Sequence, residues 1–254
     1  MSYLRLPAVT ANDFASTPSV ASLNITGRIW LAADIAADDW TPAAADALVS
    51  KFTVLFNLKG YALQILTTGR LRATYSPDGA TDRTFDSTVN PGGVNGERLA
   101  VGVDMDPDNG SDQRTATFYT GPELGGPWTP LGGVVTQAGA DPAIAVTSAS
   151  LIVGALVVIN PGNHFAGRVF GAEVRDGGIA GTVVARPVFE AQYPGKDFHD
   201  STGKLWTLSG GAQVEGVPVE AFRHTDGRFV HEVDAFDHDD ARFEHVDPRF
   251  AYVA

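Results

Sequence analysis

The chain contains no cysteine in its 254 residues. That excludes disulfide staples and thiolate metal sites. Basic residues are scarce too: 18 Lys and Arg face 30 Asp and Glu, a formal net charge of -12. An acidic chain repels phosphate backbones and anionic lipid surfaces, so neither a nucleic-acid partner nor membrane insertion is expected. Long hydrophobic runs are also missing. The longest apolar stretch, around Ala149–Ile159, is too short to span a bilayer. The opening residues, MSYLRLPAVTANDF, lack a basic start followed by an apolar segment, so no signal peptide is expected and synthesis in a cytoplasm follows.

What is present points to strands. Hydrophobic residues make up 44% of the chain, too many for a disordered one, and 28 Gly and 15 Pro supply tight turns. Apolar and polar residues alternate with period two in Arg98–Met105, where Leu99, Val101, Val103 and Met105 share a face. Leu71, Ala73 and Tyr75 do the same, with Arg72 and Thr74 pointing away. Such alternation reads as antiparallel strand with one buried face. Turn signals separate the windows: Thr68-Gly69, Asp78-Gly79, Asn95-Gly96, Asn109-Gly110 and Gly177-Gly178. The expected fold is an all-β sandwich or jelly roll. A single short helix is expected at Thr41–Leu48, with Thr41 as N-cap and Pro42 at the first helical position.

Composition changes near Val217-Pro218. From there the sequence falls into sevens: FRHTDGR, FVHEVDA, FDHDDAR, FEHVDPR, FAYVA. Phe recurs at Phe222, Phe229, Phe236, Phe243 and Phe250, and His at His224, His231, His238 and His245. A coiled coil is excluded, because one large apolar residue per heptad cannot make a seam and Gly227 and Pro248 oppose helix. A continuous strand is excluded as well, since an odd period sends successive Phe to opposite faces. Short extended pieces joined by turns fit, each burying its ring against another unit or another chain. The tail, residues 219–254, is therefore expected to be an assembly element joined to a domain spanning 1–218. The alternative is a flexible acidic tail, against which the regular Phe argues. The His row would hold a transition metal or respond to pH if brought together around a symmetry axis; pairing of each His with a nearby Asp is the plainer reading.

Other motifs are weaker. Asp104, Asp106 and Asp108 resemble the start of a calcium loop, but Asn109 and Thr115 stand where an EF-hand needs Gly and Glu. A hairpin turn explains the segment, a weak calcium site is the alternative, and no cofactor is required. Glu232–Asp237 echoes the carboxylate spacing of retaining β-glucanases, yet it lies within the repeat and lacks the third Glu. Asp197-Phe198-His199-Asp200 reads as a polar turn entering a strand. No nucleophile elbow, zinc motif or phosphate loop appears, so no catalytic residue is expected. Burial is the default for each of the four Trp; Trp128 and Trp206 sit in strand-like windows and are expected in the core, while Trp40 is the best candidate for a surface ring that could stack on a sugar.

Several stretches carry a family likeness. They are YLRLPAV, FASTPSVASLNITGRIWLAADIAADDWTP, YALQILTTGRLRATYSPDG, the run from VDMDPDNG to PWTPLG, FAGRVFGAEVRDGGIAGTVVARPVFEAQ and FHDSTGKLWTLSGGA. Together, over residues 3–214, they resemble the laminin-G-like (concanavalin A-like) jelly rolls in minor tail proteins of actinobacterial phages. The resemblance implies two large antiparallel sheets and a place in a virion tail. It implies other tail proteins and copies of the same chain as partners, and host surface glycans as a further contact. A dedicated glycan receptor-binding protein and a capsid decoration protein are the alternatives.

Overall fold

The computed structural model describes residues 2–7, 12–53, 56–156, 163–190 and 195–216. The repeat, with Phe222, Phe229, Phe236, Phe243, Phe250 and the four His of its row, lies outside the described residues.

The described chain is all-β, with one 3-10 turn at Ala21–Leu23. One sheet runs Thr129–Pro130 (β10), Gln113–Gly121 (β9), Leu99–Asp106 (β8), Ile29–Ala37 (β3), Gly167–Asp176 (β13), Tyr3–Leu6 (β1) and Gln213–Glu215 (β17). Val135–Ala138 (β11) adds to β9 and Thr182–Ala185 (β14) to β13. The other sheet runs Asp197–His199 (β15), Leu205–Ser209 (β16), Phe14–Thr17 (β2), Leu151–Val153 (β12), Asp46–Thr53 (β4), Leu58–Ile65 (β5), Leu71–Tyr75 (β6) and Arg83–Asp86 (β7). Neighbouring strands are antiparallel in both. This is the expected jelly-roll sandwich.

The core lies between the sheets. From the first, Leu31, Ala33, Ile35, Val101, Val103 and Phe118 face it; from the second, Val49, Leu63, Ile65, Leu71, Tyr75 and Phe85. Period-two alternation places these residues on inner faces, as the patterns over β6 and β8 predict.

The expected helix at Thr41–Leu48 is not there. Residues from Asp46 onward form β4, which pairs with β5 from Asp46↔Ile65 to Thr53↔Leu58. Thr41 caps nothing; its N–H and hydroxyl both donate to Asp39 Oδ1, at 2.8 and 3.0 Å. The strand wins because its ladder is long and its side chains are buried, which outweighs a local start signal.

Candidate functional site

The outer face of the larger sheet is where chemistry concentrates. Central strands of a one-sided sheet should alternate between core and water, yet all nine residues of β3 are buried. The inward set packs in the core. The outward set, Trp30, Ala32 and Asp34, lies beneath chain segments that cross the sheet from 122 to 128, 177 to 181 and 186 to 190.

Buried acids anchor those segments. Asp34 on β3 accepts two bonds from Arg98, at 2.9 and 2.7 Å, and one from the Leu124 N–H at 2.9 Å. Arg98 also reaches Glu190 at 2.8 Å and lies 4.2 Å from the centre of the Phe170 ring. Asp34's hydrogen bonds hold the Arg98 guanidinium firmly protonated. Asp104 on β8 accepts two bonds from Arg28, each 2.8 Å, and one from the Ile179 N–H at 3.2 Å. Glu173 on β13 is fully buried, bonded to Arg175 at 2.6 Å, with Arg186 at 3.5 Å. A carboxylate on a covered sheet face must be paired or it would not remain charged. Here each pairing also ties down a crossing segment.

Between the 122–128 and 186–190 crossings an open cleft of about 150 Å³ remains, lined by Asp34, Arg98, Glu123, Phe170, Arg186 and Glu190 among others. Beside it lies an aromatic group. Trp30 is fully buried and lies flat over Gly102, where a Cβ would come within 2.5 Å of the indole. Glycine there is required by that close approach. Tyr119, paired with Gly102 across β8 and β9, meets Trp30 edge-on at 5.5 Å. Trp128 meets it edge-on at 4.9 Å. Tyr119 and Trp128 are half-buried. Burial and the nearby Asp104 raise the Tyr119 hydroxyl pKa, keeping it a neutral donor. The Trp30 Nε1–H is buried and has no hydrogen-bond partner among the described residues. The Arg28 side chain is 54% exposed next to this group.

Two expectations about tryptophan reverse. Trp40 is not a surface ring: it is 5% exposed, donates from Nε1 to the Val94 carbonyl at 3.2 Å and lies against Gly93. Its polar flanks, Asp38-Asp39 and Thr41-Pro42, suggested exposure, but the 93–95 loop folds back over the ring. Trp128, expected in the core, is the one that reaches solvent. Trp206 is buried as expected, donating to Asp200 Oδ2 at 3.1 Å. Asp200 also accepts from the N–H groups of Arg186, Thr202 and Lys204, which makes it the organiser of a turn.

The three aspartates of the calcium-like turn separate by role. Asp104, on β8, is engaged by Arg28. Asp106 ends β8 and Asp108 sits in the β8–β9 turn, accepting from the N–H groups of Asp108 and Gly110 respectively. Among the described residues no group of three or more His, Cys, Asp or Glu is arranged to hold a metal. Asp34 and Glu173 carry no sequence signal, because acids on alternate strand positions look like solvent-facing residues, and Asp104 reads as part of a turn.

No protein-family model matches the chain, and no curated protein matches it. Solved structures are similar to it at low identity. One is a heptameric SAP-like pentraxin from Limulus polyphemus, 10% identical over 70% of this chain and 77% of that one, with a TM-score of 0.48. Another is the Ruminococcus gnavus IT-sialidase CBM40 bound to alpha2,6 sialyllactose, 16% identical over 65% of this chain and 87% of that one, TM-score 0.39. A third is the enzymatically active domain of tailspike protein 2 from bacteriophage CBA120, 15% identical over 68% of this chain and 25% of that one, TM-score 0.38. The class the strand order itself defines is the jelly-roll sandwich with a covered outer face.

Proposed function

We propose that the chain is a structural component of a bacteriophage virion, a minor tail protein, whose sandwich is displayed on the tail and contacts host surface glycans. The tail assignment is supported by the resemblance over residues 3–214. The glycan contact rests on one observation: the half-exposed Tyr119 and Trp128 rings, braced on Trp30 beside the exposed Arg28 guanidinium. Sugar rings stack on aromatic faces and their hydroxyls bind to charged or amide groups, and this patch offers both. The role is binding and structural, with no reaction assigned.

A glycan array probed with the full chain tests the contact. Retention on host envelope glycans should be lost in Trp128→Ala and Tyr119→Ala, and no binding at millimolar glycan would sink the reading. Immunogold labelling of particles separates tail from capsid decoration. A dedicated receptor-binding role requires in addition that antibody against this face blocks adsorption.

A further inference from the structure

The connection between β4 and β5 reads Val54-Leu55-Phe56-Asn57. Phe56 and Asn57 have φ of 59° and 54°. That left-handed region suits Gly and, less well, Asn; a bulky side chain there strains the backbone. Asn57 therefore belongs in the turn by chemistry, and Phe56 does not. Burial does not offset the strain, because Phe56 is 85% exposed, more than any other large hydrophobic residue described. Among the described residues, neither turn geometry nor packing accounts for an aromatic ring at this position. A ring held out in water at the cost of strain is accounted for by a partner.

The surroundings define that partner. The turn at 76–82 lies against the hairpin: the Lys59 N–H donates to the Gly79 carbonyl at 3.2 Å, and a Cβ on Gly79 would come within 2.4 Å of the Asn57 oxygen. The segment 139–145 joins this turn to the β8–β9 turn, through Ala145 N–H to Ser76 O and Asp141 N–H to Pro107 O. These turns expose Asp78, Asp108 and Asp112, none in an ion pair among the described residues. The nearby cations are committed elsewhere, Lys59 to Asp82 and Arg83 and Arg114 to Asp141. Backbone and hydroxyl hydrogen bonds from Thr81 and Ala80 hold the Asp78 carboxyl well below the usual carboxylate range, so it stays ionised.

We propose that Phe56 is a docking residue, inserted into an apolar pocket with a basic rim on a partner protein. An aromatic anchor flanked by charge is how compact interfaces concentrate their affinity and choose their partner. A second copy of this chain fits poorly, since it would bring carboxylates against carboxylates at this end. An anionic bilayer fits poorly for the same reason. The contact is separate from the Tyr119 and Trp128 patch, which lies on the other sheet.

The test pans a displayed random-peptide library on the full chain, with Phe56→Gly as the counter-selected protein. Glycine suits the left-handed turn, so this variant should fold with an unchanged or higher melting temperature. Enriched peptides should combine Leu, Ile or aromatic residues with Lys or Arg. They should bind the wild-type chain about tenfold or more tightly than Phe56→Gly, a hot-spot-sized effect. Binding should weaken with salt and in the triple variant Asp78→Asn, Asp108→Asn, Asp112→Asn. The proposal is overturned if no Phe56-dependent peptide emerges, or if the enriched peptides are acidic. It is equally overturned if Phe56→Gly is less stable, or if Phe56 instead drives self-association in sedimentation or flotation with phosphatidylcholine vesicles.

Discussion

Two buried titratable side chains should make the stability of this sandwich depend on pH. Asp46, at the start of β4, accepts the Ala166 N–H, yet burial pushes its carboxyl up to about 7. Lys51, on the same strand, is 1% exposed and donates to the Thr147 carbonyl and hydroxyl, with no carboxylate partner among the described residues; burial brings its amine down to about 8. The signs follow from linkage. The folded chain holds the Asp46 proton more tightly than the unfolded chain, so stability falls as pH rises from about 4 to about 7. It holds the Lys51 proton less tightly, so stability recovers as pH rises from about 8 to about 10.5. Both groups are charged and buried between these windows, where their combined cost is greatest. We expect Asp46→Asn to raise the denaturation midpoint at about pH 8, with the gain vanishing near pH 4. Lys51→Met should flatten the recovery above pH 8. Urea titrations across this range check both; a wild-type stability independent of pH would refute the assignment. Trp40 is legible at this scale only in hindsight: its polar neighbours signal a surface, and the loop that covers it comes from more than 50 residues further along the chain.

Strands show which parts of a sequence carry their own instructions. β6 and β8 are readable because one face meets the core and the other does not, leaving a period of two in the residue order. β4 is misread because a capping signal and a Pro precede it, while the ladder that decides its conformation is supplied by β5. β3 hides its function for a different reason. Both its faces are buried, the outer one under segments drawn from far along the chain, so Asp34 reads as an ordinary polar position. The outer-face anchors make a quantitative claim. Asp34→Ala leaves the Arg98 charge without its main partner and releases the Leu124 N–H, which should cost about 3–5 kcal/mol, the range for breaking a buried pair. Amide exchange should accelerate first across residues 122–128 and leave the β4–β5 ladder slow, since the anchor and that ladder lie in different sheets. Equal acceleration in both would mean that Asp34 supports the whole sandwich and not the crossing segment. Gly102→Val tests the aromatic group at the same level: displacing Trp30 should destabilise the domain and loosen Trp128, seen as a red-shifted tryptophan emission.

The molecule as a whole joins a jelly roll, legible from its turns and alternation, to a repeat that obeys neither strand nor helix periodicity. On the proposed reading, attachment falls to the repeat and display to the sandwich. A unit of the repeat offers one Phe and cannot bury it alone, so its rings have value only against other units or other chains. Truncation after Val219 should therefore lower the oligomeric mass in solution while leaving the melting temperature of the sandwich in place. Replacing Phe229, Phe236 and Phe243 with Ser should do the same without shortening the chain. Multi-angle light scattering reads the mass, and circular dichroism at the strand minimum reads the fold. An unchanged mass in both variants would leave the repeat without an assembly role. A lowered mass accompanied by loss of strand signal would show instead that the sandwich leans on the tail. Lost mass with an intact sandwich is the expected result, since the described core cluster already spans both sheets from Leu4 to Val214.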